Sequence, residues 1–180
     1  MSWTIISLAD VQPQPWKNGG GTTRELLAWP SAALWQVRLS VAEVAADGPF
    51  SRFEGVRRAF AVLSGAGVRL VIDGQAHALT PASEPLAFDG AADTQCTLLG
   101  GVTQDFNLMV RAGVPALRRV RGRAQVGSAV LQAVYAASGP AAVHCGGKVL
   151  ALPPHTLAWR LDGAALQVQA DDALSMEVSL

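Results

Sequence analysis

The chain has 180 residues, half of them hydrophobic and 16% charged, and its 14 basic and 14 acidic side chains give a formal net charge of zero. This composition excludes a disordered chain, and the balanced charge argues against a nucleic-acid partner, which would require a basic surface. No apolar run reaches the length of a membrane span, and the N-terminus lacks the charged and apolar regions of an export signal. We therefore expect a cytoplasmic protein with no membrane partner, in which Cys96 and Cys145 are free thiols.

In chain order, the pattern predicts short strands separated by Gly and Pro, which is typical of an all-β sandwich or barrel. Short helices are the alternative at residues 8–11 and 42–46. Period-two alternation places Arg38 and Ser40 on one face of their strand. The predicted strands cover residues 35–41, 58–63, 68–72, 76–80, 94–99 and 106–111.

The two halves of the chain share a pattern of turns at a constant spacing of 73 residues. Gly74 corresponds to Gly147, and a Leu-x-Pro stop and an Asp-Gly turn recur at the same spacing. The pattern indicates an internal duplication, although chance recurrence of turn residues is the alternative. It predicts one half at residues 1–114 and the other at 115–180.

Four arginines cluster where the two halves would meet. They are Arg118, Arg119, Arg121 and Arg123. We interpret the cluster as a solvated linker, with a phosphate-binding patch as the alternative.

Three consecutive glycines, Gly19 to Gly21, stand in the unusual segment WKNGGGTTRE, which starts at Trp16. Three glycines cost chain entropy, so they indicate either a flexible turn or a backbone that approaches a ligand or another chain closely. The spacing is not that of a phosphate-binding P-loop.

A strand that begins near Arg58 runs into VLSGAG, which resembles the first motif of cupin barrels. Metal-binding cupins carry histidines and an acid here, whereas this chain has Ser51, Phe53 and Arg58, which do not bind a divalent metal. The three histidines are far apart in sequence. We therefore expect no metal and no cofactor.

An arginine among small polar groups suits an anion, because guanidinium binds carboxylate through two parallel hydrogen bonds. The candidate donors are Arg38, Arg58, Ser40 and Ser51. The alternative is that the two arginines pair structurally with Glu25 or Glu54. Downstream, Asn107 and Met109 of DFNLM share a strand face, and the amide of Asn107 could both donate to and accept from a ligand.

Together, WKNGGGTTRE, VRLSVAEVAADGPFSRFEG, the Arg58 strand with VLSGAG, and DFNLM resemble the HutD/Ves family of cupin-fold proteins. The resemblance implies a metal-independent bicupin of the RmlC-like jelly-roll type, with two β-barrel halves packed together. It also implies a regulator of histidine utilisation that binds a small carboxylate such as N-formylglutamate or urocanate. The pocket residues it implies are Lys17, Asn18, Gly19, Gly20, Thr22, Glu25, Arg38, Ser40, Phe50, Ser51, Phe53, Arg58, Asn107 and Met109.

The chain departs from the family at Arg57, where the family commonly has Asp. The departure predicts a more cationic site, in which Arg58 lacks the carboxylate that would orient it.

Three functions remain open at this point. The first is a non-enzymatic sensor of a small carboxylate, and the second is a metal-independent cupin enzyme acting on an organic acid. For the enzyme, Glu25 would be the acid/base group if it were buried. The third is an interaction module without a small ligand, and a homodimer is compatible with all three.

Overall fold

The computed structural model describes residues 2–179, with the backbone alone described at Asp162. Seventeen strands and one 3-10 turn, Leu8–Asp10, make up the regular structure of this part of the chain, which contains no α-helix and therefore no helix that could cross a membrane. The strands are β1 Thr4–Ser7, β2 Gln14–Pro15, β3 Gly21–Trp29, β4 Val37–Val44, β5 Gly48–Pro49, β6 Arg57–Ser64, β7 Val68–Ile72, β8 Gln75–Leu79, β9 Leu86–Asp89, β10 Thr94–Leu98, β11 Thr103–Val110, β12 Val114–Val126, β13 Ala129–Ala136, β14 Ala141–Cys145, β15 Lys148–Leu152, β16 Thr156–Gly163 and β17 Leu166–Ser179.

The all-β prediction is confirmed, and the strands form two compact units. One unit comprises Gln12–Ala112, and the other comprises the chain from Gly113 onwards together with the residues up to Val11. The sequence predicted that the residues up to Val11 belong to the first half, whereas the structure assigns them to the second unit. The reason is that β1 pairs antiparallel with β16, so its backbone hydrogen bonds belong to the second unit.

The first unit contains two antiparallel sheets, ordered β2-β3-β4-β11-β6-β9 and β5-β10-β7-β8. Both sheets contribute to one apolar core, which includes Phe60 and Val62 of β6 and Leu70 of β7. Alternation along β6 places Arg58 on the same face as Phe60 and Val62. The row of side chains that builds the core therefore ends in a buried arginine.

The second unit contains a seven-stranded sheet, ordered β1-β16-β13-β17-β14-β15, with β12 paired to β17. Its core includes Val134, Val143, Val168 and Leu152, all of them almost completely buried. The fourteen residues of β17 pair with β12, β13 and β14, which joins most of this sheet through one strand.

The same hairpin occurs in both units, with a spacing of 73 residues between the two copies. The bounds of β7 and β8 coincide after this shift with those of β14 and β15. Both hairpins turn through two residues with positive φ, which are Asp73 and Gly74 in one and Gly146 and Gly147 in the other. This is the turn geometry that matches the twist of paired strands.

Two local predictions are wrong. The arginine cluster is not a linker but part of β12, where Arg119 is buried and pairs with Asp172 at 2.9 Å. The predicted helix over 42–46 is absent because Ala42 lies in β4, whose residues pair with β3 and β11.

Candidate functional site

A cavity of about 550 Å³ opens at one end of the first unit. Its wall comes from β3, β4, β6 and β11 and from the segments that include β2 and β5. Nine of the predicted site residues line it: Lys17, Asn18, Arg38, Phe50, Ser51, Phe53, Arg58, Asn107 and Met109. Five others, Gly19, Gly20, Thr22, Glu25 and Ser40, lie outside the wall.

Arg58 forms the buried floor of the cavity, with 5% of its surface exposed. Its Nη2 donates to Asn107 Oδ1 at 2.8 Å, and its Nη1 donates to the Ser51 carbonyl at 3.4 Å. The guanidinium lies 5.1–5.8 Å from the centroids of the rings of Phe50, Phe53 and Phe88. Its Nε is buried without a hydrogen-bond partner in the protein.

The charge of Arg58 is not neutralised by direct contact. None of the ion pairs in the described part of the chain includes this residue. Burial lowers the pKa of Arg58 to about 10, an effect that Asp105 opposes and Arg38 reinforces. The guanidinium is therefore still a cation at neutral pH, and it faces a cavity rather than a carboxylate.

Asp105 lies beside Arg58 and completes the floor. Its Oδ1 accepts a hydrogen bond from Asn107 Nδ2 at 2.6 Å, so that a chain of hydrogen bonds runs from Arg58 through Asn107 to Asp105. Burial raises the pKa of Asp105 to about 8, against the opposing effects of Arg58 and of the hydrogen bond from Asn107.

One part of the prediction about Arg57, that it makes the site more cationic, is wrong. Arg57 precedes Arg58 in β6, points to the opposite side of the sheet, and is exposed. It therefore adds no charge to the cavity floor. The carboxylate near Arg58 is Asp105, which comes from the neighbouring strand β11 and acts through Asn107.

Arg38 forms an ion pair with Glu25, which is the structural alternative that the sequence left open. Its Nε donates to Glu25 Oε2 at 2.6 Å, and about a third of the Glu25 side chain is exposed. The condition on which Glu25 would serve as a buried acid/base group is therefore not met. Arg58, in contrast, pairs with neither Glu25 nor Glu54.

The triple glycine builds a turn that places Lys17 and Asn18 on the cavity wall. Gly19 has a φ of +72°, and Gly20 donates its N–H to Asn18 Oδ1 at 3.0 Å. A Cβ on Gly21 would stand 2.2 Å from the Glu43 carbonyl. The glycines are therefore explained by the turn and by a close approach to β4.

The threonine on the cavity face is one position further along than predicted. Thr23 pairs with Ala42, which also lines the cavity, whereas Thr22 pairs with the exposed Glu43. The hydroxyl of Thr23 accepts a hydrogen bond from Trp16 Nε1 at 2.8 Å.

Of the two predicted serines, Ser51 lines the cavity and Ser40 does not. Ser51 offers its backbone carbonyl to Arg58. Ser40 is buried opposite Asn107 and lies outside the cavity wall.

Six lining residues were not predicted: Pro15, Trp16, Thr23, Ala42, Pro49 and Asp105. Period two offered a signal for Asp105, because it shares a strand face with Asn107 and Met109. Between residues 2 and 179, no three His, Cys, Asp or Glu side chains meet in an arrangement that could hold a metal ion.

Comparison with known proteins gives a match over almost the whole chain. The family model described as HutD matches residues 8–176. An uncharacterised 21.2 kDa protein in the hutC 3′ region of Pseudomonas putida is 38% identical over 125 residues, which are 67% of this chain and 62% of that protein. Protein Ves of Escherichia fergusonii is 35% identical over 57% of this chain and 56% of its own length. The chain thus spans less than two thirds of the length of these two relatives.

Solved structures match the whole fold. A conserved protein of unknown function from Pseudomonas aeruginosa has a TM-score of 0.89 and 29% identity, with all of both chains covered. HutD from Pseudomonas fluorescens, solved in a formate condition, has a TM-score of 0.87 and 28% identity, and the match covers 99% of this chain and 98% of that one. Ylba from Escherichia coli, at 10% identity and a TM-score of 0.73 over 98% and 90% of the two chains, shares the fold alone.

Proposed function

Because the chain belongs to the HutD family and has its cupin-like fold, we propose that it is a cytoplasmic, non-enzymatic protein that binds a small carboxylate and modulates histidine utilisation. The ligand is an intermediate of histidine degradation, N-formylglutamate or urocanate. The name of the Pseudomonas putida relative supports the pathway, since it places that protein beside hutC. The formate condition of the Pseudomonas fluorescens structure is consistent with a carboxylate ligand.

One observation supports the ligand class above all others: Arg58 is a buried cation at the floor of a cavity, with no carboxylate in contact. A buried charge that lacks an ionic partner is costly, and a bound carboxylate removes that cost. Guanidinium and carboxylate also match in geometry, and hydrogen bonds between charged groups are the stronger kind.

The aromatic and apolar wall supports a ligand larger than formate. Trp16 packs edge-on against Phe50 with ring centroids 6.3 Å apart, and Met109 and Phe53 complete the apolar lining. A cavity of about 550 Å³ lies within the usual range for small-molecule sites. Lys17 and Asn18 offer polar atoms at the exposed part of the wall for a second polar group on the ligand.

A titration by calorimetry with N-formyl-L-glutamate, urocanate, glutamate and formate tests this function. We expect binding of at least one of the first two, and a loss of about 10-fold or more in Arg58→Met, since a hydrogen bond to a charged group contributes about 1.5–3 kcal/mol. Arg57→Met is the matched control, because it removes the same charge one residue away on the exposed face. Silence across the whole panel, or equal binding by Arg58→Met, contradicts the proposal.

The second candidate is a metal-independent enzyme that acts on a small organic acid, with Asp105 in place of Glu25 as the acid/base group. Its support is the raised pKa of Asp105, about 8, next to a cation that could hold the substrate. Turnover of any acid in the panel by wild type, lost in Asp105→Asn, would favour the enzyme over the sensor.

We also propose that both units descend from one cupin-like barrel, which makes the chain a bicupin. The support is the recurrence of β7 and β8 as β14 and β15 at a spacing of 73 residues, with the same positive-φ turns. Separate expression of residues 12–112 tests whether that unit folds alone. Cooperative unfolding of the fragment would support an independent barrel, and a disordered fragment would contradict it.

A further inference from the structure

The amide of Asn107 has its orientation fixed from both sides. Arg58 can only donate, so it requires the amide oxygen, and Asn107 Oδ1 accepts from it at 2.8 Å. The amide nitrogen then points to Asp105, whose Oδ1 accepts at 2.6 Å. Asp105 therefore determines which end of Asn107 faces Arg58, although it makes no ion pair with Arg58 itself.

Asp105 has an oxygen that nothing in the protein satisfies. The residue is 1% exposed, it lines the cavity, and its Oδ2 is buried without a hydrogen-bond partner. A carboxylate anion that is buried with a single hydrogen bond is costly, whereas the neutral acid costs much less to bury. The geometry thus fits the neutral acid better than the anion.

The charge on Asp105 affects how strongly an anion binds at Arg58. With Asp105 protonated, the floor carries one positive charge. With Asp105 ionised, the two charges cancel, and the carboxylate of a ligand meets a second anion two hydrogen bonds away. Ligand and Asp105 therefore compete for the same guanidinium.

Other charged or titratable groups reach this floor from each neighbouring strand. Arg58 comes from β6, and Arg38 comes from β4 with its charge paired to Glu25 of β3. From β10, Cys96 has a pKa raised to about 12 by burial and by the charges of Asp105 and Asp47. The pKa values of Arg58 and Cys96 both lie above 9. Of these three groups, only Asp105 therefore titrates below pH 9.

We propose that Asp105 is a positioning residue of the cavity whose ionised form takes up one proton from solvent when a carboxylate binds Arg58, so that affinity falls as pH rises. This inference rests on the proposed function, since it needs an anion at Arg58. No bond of the ligand changes, and the proton returns to solvent when the ligand leaves.

Calorimetric titration with N-formyl-L-glutamate at pH 6.5 and pH 9 tests the coupling, in two carboxylate-free buffers that differ in ionisation enthalpy. For wild type at pH 9 we expect uptake approaching one proton per ligand. Affinity should fall by close to ten-fold per pH unit above about pH 8, because one group titrates. For Asp105→Asn, which keeps an acceptor for Asn107, we expect no uptake and a flat profile.

Two further variants separate coupling from structure. Glu43→Gln makes the same change on the exposed face of β4, and it should retain the proton uptake of wild type. Asp105→Ala, which cannot hold the amide of Asn107, should bind more weakly than Asp105→Asn at pH 6.5.

The outcomes distinguish the two proposals. Absence of binding of every acid in the calorimetric panel at pH 6.5 refutes the proposed function and the coupling together. Binding at pH 6.5 that is equally tight at pH 9, without proton uptake, refutes the coupling alone and leaves the carboxylate-binding function standing.

Discussion

Asp105→Asn should change how the stability of the ligand-free protein depends on pH. The pKa of Asp105 rises from 3.8 to about 8 in the folded chain, mainly because of burial. Between these values the native state binds a proton that the unfolded state releases. The free energy of unfolding therefore contains a contribution that is complete below about pH 4 and is lost as pH rises towards about pH 8.

The size of this contribution follows from the shift. A difference of one pKa unit corresponds to about 1.4 kcal/mol, so a shift of roughly four units corresponds to on the order of 5 kcal/mol. The difference between wild type and variant isolates Asp105, because the other groups are common to both.

The assay is urea unfolding of both proteins at several pH values from 5 to 9, followed by tryptophan fluorescence and by circular dichroism. We expect Asp105→Asn to gain stability relative to wild type by about 1 kcal/mol per pH unit across this range, and to be the more stable protein above pH 8. A difference in free energy that stays constant with pH would refute the reasoning, since it would mean that Asp105 is not held as the neutral acid.

Three further predictions concern a glycine, a buried ion pair and a buried thiol. Gly21→Ala should destabilise the protein by about 2 kcal/mol or more in urea unfolding, since its Cβ meets a backbone carbonyl of β4, whereas Gly48→Ala, with open space around it, should change little. Arg119→Met, which breaks a buried ion pair, should cost about 3–5 kcal/mol in the same assay, against less than about 1 kcal/mol for the exposed Arg118→Met. In the native protein, Cys96 should resist alkylation at pH 8, as measured by mass spectrometry, because it is buried and its pKa is raised to about 12; rapid labelling would contradict this.

The alternation of apolar and polar residues predicted those features of the fold that depend on local sequence pattern alone. The bounds of β7 agree fully with the predicted strand, because a Gly turn and an Asp-Gly hairpin delimit it. Local pattern could not assign β1 to the second unit, since its residues pair with residues of β16 that lie 149 to 155 positions away. Strand pairing over such a distance is decided by packing, which no short window of sequence contains.

Site residues that share one face of one strand could be predicted from the sequence. Contacts that depend on the register between two paired strands could not. Asn107 and Met109 followed from alternation, and Arg58 followed from the cupin-like strand that runs into VLSGAG. The role of Asp105 required the pairing of β11 with β6, which places Met109 opposite Arg58 and brings Asn107 within hydrogen-bonding distance of it. Thr22 came from the family resemblance. Local pattern could not replace it with Thr23, because the start of β3, which sets the parity of its faces, follows a glycine turn whose length the sequence does not fix.

A contrast between two buried arginines supports the placement of the proposed ligand site in the first unit. Arg160 of the second unit donates from Nε to Gln132 at 2.8 Å, from Nη1 to Cys145 Sγ at 3.2 Å and from Nη2 to the Ala164 carbonyl at 2.6 Å. Each of its three nitrogens therefore has an acceptor within the protein. Arg58 has one short hydrogen bond, one long one and an Nε with no partner. A guanidinium whose donors are all used stabilises its own fold, whereas one left partly unsatisfied beside a cavity gains hydrogen bonds and charge neutralisation when an anion binds.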